Sequence, residues 1–238
     1  MNIGIIPARY ASTRFPGKPL AMIYDKPMIQ HVFERAKESS LDQVIVATDD
    51  LRIEEAVKQF GGNVMLSSPN HPSGTDRCGE IASKLQLKEN DVVINIQGDE
   101  PFIQKQEINT LLQLFDNECV EIATLVKPID RPEEIEDPNK VKVVVSKQNR
   151  ALYFSRYPIP YIRGDEKNVF YKHIGIYAYR YKTLQKIIQL PTSKLENCEK
   201  LEQLRWLEND FSIYTALCYH ESVAIDTPED LLKIPYLY

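Results

Sequence analysis

Four short runs rich in β-branched residues, Asn2 to Ile6, Gln43 to Ala47, Asn63 to Leu66 and Asp91 to Ile96, alternate with stretches of helical length. No other feature of the chain constrains its fold as strongly. Between and after these runs, Met28 to Lys37, Leu51 to Phe60, Arg77 to Leu87 and Gln104 to Phe115 repeat apolar residues at three- and four-residue spacing, the pattern of a helix packed on a sheet. The run Asp91-Val-Val-Ile-Asn-Ile96 is almost continuously apolar, as a strand buried on both faces of a mostly parallel sheet must be. A helical core segment would be equally apolar, but shortness and β-branching favour a strand. Ligands of such sheets sit beyond the carboxyl ends of the strands, so the loops starting at Pro7, Thr48, Ser67 and Gln97 are where function is sought.

After about Pro128 the texture changes. Pro128 to Pro132 and Asp137-Pro-Asn139 read as turns, followed by strands at Val141 to Ser146, Ala151 to Phe154 and His173 to Tyr179. Helices resume at about Glu199 to Glu208 and Pro228 to Leu232. Seven of the 13 tyrosines lie between Tyr153 and Tyr181, where they serve as core, as a subunit contact or as a sugar-binding wall. No internal repeat or low-complexity tract is present.

Size and charge narrow the function. At 238 residues, with 43% hydrophobic and 26% charged residues, the chain is globular, on the order of one large domain or two small ones. With 29 basic and 34 acidic side chains it lacks the basic excess of a nucleic-acid binder. No segment approaches the roughly 20 apolar residues of a membrane helix, and Ile3 to Ile6 is too short for a signal-peptide core, so a cytoplasmic protein is expected. Cys78, Cys119, Cys198 and Cys218 form no Cys-x-x-Cys pair and are expected to be reduced, mostly buried thiols.

Within this acidic chain the first loop is locally cationic: Arg9, Ser12, Arg14, Gly17 and Lys18 follow the first strand within ten residues. Arginine presents a planar fork matched to phosphate oxygens, and lysine a compact charge able to follow a moving phosphoryl group. For any one of these residues alone, a solvated loop is the simpler reading. Pro19 stands where a Walker loop needs Ser or Thr, and no Gly-x-Gly-x-x-Gly follows a strand, which removes P-loop and dinucleotide-binding readings.

Asp99, in Gln97-Gly98-Asp99-Glu100-Pro101, ends the most apolar strand and either binds a hard cation or caps the next helix. Asp226, before Thr227-Pro228-Glu229-Asp230, stands beside a capping-box variant; paired with Asp99 it would complete a magnesium site. His71-Pro-Ser73-Gly74-Thr-Asp-Arg77 either caps a helix starting at Arg77 or reads a base edge through its backbone. Arg156 and His173 could hold a carboxylate, and Tyr177, Glu202 and Gln203 could bind hydroxyls. The simpler alternatives are a satisfied core histidine and, for Glu202 and Gln203, a solvated helix face.

Taken together and in order, from residue 3 to about residue 231, these segments resemble the 3-deoxy-manno-octulosonate (Kdo) cytidylyltransferase family, the CMP-Kdo synthetases. The segments are Ile-Pro-Ala-Arg9 through Gly17-Lys18-Pro, Ser73-Gly74-Thr-Asp-Arg77, Gln97-Gly-Asp99-Glu-Pro, Tyr-Phe-Ser-Arg156, Lys-His173-Ile-Gly-Ile-Tyr177, Leu-Glu202-Gln203 and Ile-Asp226-Thr-Pro. Phe15 stands where leucine is commoner in the family.

The resemblance implies a single α/β domain over residues 1–238 with a Rossmann-like nucleotidyltransferase fold and a mostly parallel central sheet. Residues 1–127 would mainly bind CTP, and a smaller β-rich portion, 128–238, would mainly bind sugar and form a homodimer. It implies transfer of the cytidylyl group of CTP to the anomeric hydroxyl of Kdo, with Mg²⁺, for lipopolysaccharide. Arg9, Ser12, Arg14 and Lys18 would contact the triphosphate; Ser73, Gly74, Arg77 and Gln97 would lie near the nucleotide or its junction with the sugar. Asp99 and Asp226 would bind the metal, and Arg156, His173, Tyr177, Glu202 and Gln203 would line the sugar pocket. Lys18, Asp99 and Asp226 are the expected catalytic groups. The rivals are an enzyme for amino-substituted Kdo or sialic acid, a glycosyltransferase, for which an Asp-x-Asp motif is wanting, and an inactive nucleotide-binding scaffold.

Overall fold

In a computed structural model, which describes residues 1–164, 169–220 and 224–234, each of the seven runs read as strands is a strand. In chain order the strands are β1 (Asn2–Ala8), β2 (Met22–Ile23), β3 (Lys26–Pro27), β4 (Gln43–Thr48), β5 (Val64–Leu66), β6 (Val92–Asn95), β7 (Ile122–Pro128), β8 (Lys142–Val145), β9 (Ala151–Ser155), β10 (Tyr171–Arg180) and β11 (Ile213–Leu217). The helices are α1 (Met28–Lys37), α2 (Leu51–Gln59), α3 (Gly74–Ser83), α4 (Lys105–Leu114), α5 (Glu133–Glu136), α6 (Tyr181–Ile187), α7 (Lys194–Glu199), α8 (Gln203–Glu208) and α9 (Pro228–Leu231).

Among the described residues one sheet runs β11-β7-β10-β6-β1-β4-β5, with β8 and β9 branching from β10; β2 and β3 form a separate hairpin. β5, β4, β1 and β6 are parallel, as are β7 and β11, and β10 lies antiparallel between β6 and β7. The α/β class with a mostly parallel centre is thus observed. Period-two alternation decides which helices cover which face. Ile6 and Ala8 of β1 pack with α1, α2 and α4. Ile3 and Ile5 pack with α3, α6 and α8 on the other side.

Several boundaries and elements differ from the sequence reading. β7, β11, α6 and α7 were assigned no element. In β7 the apolar run is broken by Ala123 and Thr124, which alone signal a strand weakly; Thr124 is accommodated because its hydroxyl donates to the carbonyl of Ile176 on β10, at 2.8 Å. The helix expected over Glu199 to Glu208 is α8 alone, starting at Gln203, and the separate helix α7 ends at Glu199. Lys200 takes a left-handed conformation (φ 53°) that ends α7, and Arg205 reaches back to Glu196 at 2.5 Å. α3 begins at Gly74 rather than Arg77, because Ser73 Oγ accepts the Asp76 N–H and so caps the helix three residues earlier than expected. Of the cysteines, Cys78 and Cys218 are buried but Cys119 and Cys198 are exposed, which corrects the expectation of mostly buried thiols.

Candidate active site

The chain leaves β1 for β4 and β5 on one side and returns to β6 on the other, so the carboxyl ends of β1 and β6 lie side by side where the strand order reverses. A crevice is expected at such a point. The two loops that leave it touch through their backbones: a Cβ on Gly98 would stand 2.9 Å from the Pro7 carbonyl oxygen, so only glycine allows this approach. After β1 the loop folds back on itself, with Gly17 N–H donating to the Tyr10 carbonyl at 2.9 Å. Gly17 has φ +72°, a left-handed turn that aims the following Lys18 into the crevice.

There Lys18 Nζ lies 2.7 Å from Asp99 Oδ2 and 3.5 Å from Asp226 Oδ1, and Arg14 Nη2 lies 3.2 Å from the same Asp226 oxygen. Two carboxylates 127 positions apart in the chain are thus gathered on one ammonium. Asp226 is delivered by local structure. Ile225 N–H donates to the Asp99 carbonyl at 2.9 Å, and the buried Ile225 side chain packs with Phe15, Ile23, Met28, Phe102 and Ile234. The capping reading at Thr227 also holds: the Asp230 carboxylate accepts the N–H groups of Asp226 and Thr227. Asp99 is not a cap, since Gln104 and Glu107 form the capping box of α4.

A cleft of about 430 Å³ is lined by Arg9, Ser12, Arg14, Lys18, Gly74, Gln97 and Asp99. Arg9 Nη2 donates to the carbonyls of His71 and Ser73, fixing the segment that leads into α3, and Gln97 Nε2 donates to the Gly175 carbonyl at 2.9 Å. Arg77 is elsewhere. Its side chain is 0% exposed and pairs with Asp49 at 3.2 Å, because its place on α3 faces the interior, and it does not line this cleft. Ser73 likewise does not line the cleft; its hydroxyl shares its one proton between the carboxylates of Asp76 and Glu202, at 2.6 and 2.8 Å.

A second cleft of about 440 Å³ shares Asp226 and contains His173, Gly175, Asn139, Lys140, Lys172 and Glu100. Of the residues assigned to a sugar pocket, only His173 lines it; Gln97 lines the first cleft. The His173 ring packs against Phe154 and Tyr177, its Nε2 bonds Thr124 Oγ1 at 2.9 Å, and burial pushes its pKa down to about 3. It is a neutral hydrogen-bonding group at neutral pH and not a cation for a carboxylate. Arg156 spends its donors on the carbonyls of Glu199 and Pro138. Tyr177 is buried in an aromatic column with Tyr179 and Trp206. Glu202 accepts the Ser73 and Thr75 hydroxyls at 2.8 and 2.6 Å, with burial raising its pKa, and Gln203 is only 5% exposed. Neither lies on a solvated helix face. Asn139, Lys140, Lys172 and Glu100 were given no role by sequence, although Glu100 and Lys172 adjoin Asp99 and His173 in the chain and Asn139 lies in a turn.

The cytidylyltransferase family model matches residues 3–213. The 3-deoxy-manno-octulosonate cytidylyltransferase of Parabacteroides distasonis is 55% identical, over 97% of this chain and 95% of its own. The 8-amino-3,8-dideoxy-manno-octulosonate cytidylyltransferase of Shewanella baltica OS195 is 48% identical over 98% and 97%. Among solved structures, a CMP:2-keto-3-deoxy-manno-octonic acid synthetase complexed with CTP superposes with a TM-score of 0.94 at 47% identity, covering 99% of this chain and 97% of that one.

Proposed function

This chain belongs to the cytidylyltransferase family, and from that premise we propose that it transfers the cytidylyl group of CTP to the anomeric hydroxyl of Kdo, giving CMP-Kdo and pyrophosphate. The observation that carries this reading is the convergence of Lys18, Asp99 and Asp226 at a crevice flanked by two clefts, one cationic and suited to a triphosphate, the other polar and suited to a sugar acid. The anomeric hydroxyl gives up its proton to solvent as its oxygen attacks the α-phosphorus, a new O–P bond forms, the bond from the α-phosphorus to the α,β-bridging oxygen breaks, and pyrophosphate leaves with the electrons of that bond. Such transfers need positioning and charge stabilisation more than covalent work by the protein.

Each residue has a part in that positioning. Arg9, Ser12 and Arg14 face the cleft that would take the phosphates. Lys18, on a flexible stem, can follow charge as it passes to the leaving pyrophosphate. His173, neutral, offers a hydrogen bond within the sugar cleft without adding charge. The donor chemistry suits Mg²⁺: among the described residues no group of three or more His, Cys, Asp or Glu gathers, but two carboxylates plus substrate oxygens and water are what this hard ion takes. Asp99 and Asp226 would hold it; when bound it neutralises phosphate charge and acidifies a nearby hydroxyl. A homodimer working in the cytoplasm to supply lipopolysaccharide synthesis completes the proposal; no helix among the described residues is long and apolar enough to cross a membrane.

A second reading is favoured by one relative, which acts on the 8-amino sugar. Pyrophosphate release with CTP and Mg²⁺ decides between them. Release should depend on Kdo and be faster with Kdo than with the 8-amino analogue; the opposite order selects the second reading, and no release with either sugar removes both.

A further inference from the structure

The two carboxylates proposed to hold the metal already share a cation supplied by the chain. Lys18 Nζ bridges them at 2.7 and 3.5 Å, and Arg14 adds a second contact to Asp226 at 3.2 Å. The backbones that carry Asp99 and Asp226 are tied together, because Ile225 N–H is bonded to the Asp99 carbonyl and Asp230 holds the backbone of Asp226, so the two carboxylates are presented to one crevice. A compact ammonium between two neighbouring carboxylates answers their repulsion, but it occupies oxygens that a divalent ion needs.

We propose that Lys18 is a resident counter-ion that keeps the nucleotide-free protein from binding a divalent metal and frees the Asp99–Asp226 pair only when a triphosphate draws its ammonium away, so that metal and nucleotide load together. The proposal rests on the reading of that pair as the metal site. Lys18 also lines the phosphate-side cleft, and its four-carbon stem allows the ammonium to swing from the carboxylates toward an anion held near Arg9 and Ser12. The energetic logic is that of a site only fractionally available: apparent affinity falls by the fraction of molecules in which the pair is free, and a ligand that binds only the open state restores it.

Mn²⁺ binding to the full chain without nucleotide, followed by electron paramagnetic resonance, tests this directly. Lys18→Met, which keeps the stem and removes the charge, should bind Mn²⁺ at least about tenfold more tightly than the parent, as expected when a largely closed site is opened. Lys18→Gln serves if the methionine variant does not fold. Arg9→Gln removes a cation from the same loop without freeing a carboxylate, since Arg9 bonds the carbonyls of His71 and Ser73 and neither aspartate, and should change the affinity by no more than about twofold through screened long-range charge. The gain should vanish in Lys18→Met/Asp99→Asn. Equal binding by parent and Lys18→Met, an equal gain from Arg9→Gln, a gain that survives Asp99→Asn, or no binding by any variant each overturns the proposal. Intact Kdo-dependent pyrophosphate release by the parent beside such a result would leave the proposed function standing; no release by the parent beside the expected gain in Lys18→Met would do the reverse.

Discussion

Asp99 and Lys18 show how far a single side chain can be interpreted. Asp99 had two equal roles by sequence, helix cap or cation ligand, and the capping box at Gln104 and Glu107 leaves it free of the first. Its carboxylate instead faces Lys18, where the transferred phosphoryl would be handled. Asp99→Asn should therefore lower turnover by at least about 100-fold while changing metal-free CTP binding by only a few-fold, since it removes an interaction that matters most as charge develops. Steady-state kinetics beside CTP titration checks this, and near-normal turnover would end the catalytic assignment. Arg77 teaches the converse. It stands in a motif read as a nucleotide contact, yet its guanidinium is buried against Asp49 and lines neither of the two clefts.

At the scale of elements, the segment leading into α3 is held by hydrogen bonds that no periodicity reveals. Glu80, one turn into the helix beyond Arg77, accepts the Ser68 N–H at 2.8 Å, Lys84 at 2.6 Å and His71. Burial by itself would push the Glu80 carboxyl up, but these donors outweigh it and hold it down at about 2. A carboxyl lowered on folding stabilises the native state fully above its unfolded value of 4.5, and that contribution is lost as pH falls toward about 2. The difference in Tm between the parent and Glu80→Gln should accordingly be constant above about pH 6 and shrink between about pH 5 and 3. A difference independent of pH would show that the carboxylate is not responsible. The Glu202 bonds to Ser73 and Thr75 tie the start of α8 to the start of α3, which explains how a residue expected on a wet helix face became part of the frame behind the site.

For the whole molecule, the decisive contact joins the chain's last described stretch to its first loop. Ile225 sits fully buried among Phe15, Met28, Phe102 and Ile234 while its neighbour Asp226 enters the crevice. Phe15, from the first loop, packs in this cluster. Ile225→Ala should cost about 2–5 kcal/mol of stability by denaturant unfolding and, at temperatures where the variant is folded, also lower kcat. Stability lost with kcat intact would mean that Asp226 is placed by other contacts. The alternation of apolar runs was enough to specify the α/β layers, the burial of β6 on both faces and the search for a site at the carboxyl ends of the strands, because burial on two faces leaves its mark in the sequence. What faces what was decided only by tertiary structure. The insertion of β10 between β6 and β7, the burial of Arg77, the bond between His173 and Thr124, and the meeting of Asp99 with Asp226 on Lys18 depend on contacts between residues tens to hundreds of positions apart. A side chain's charge state and partner follow from its surroundings in space, and those surroundings have no local period to read.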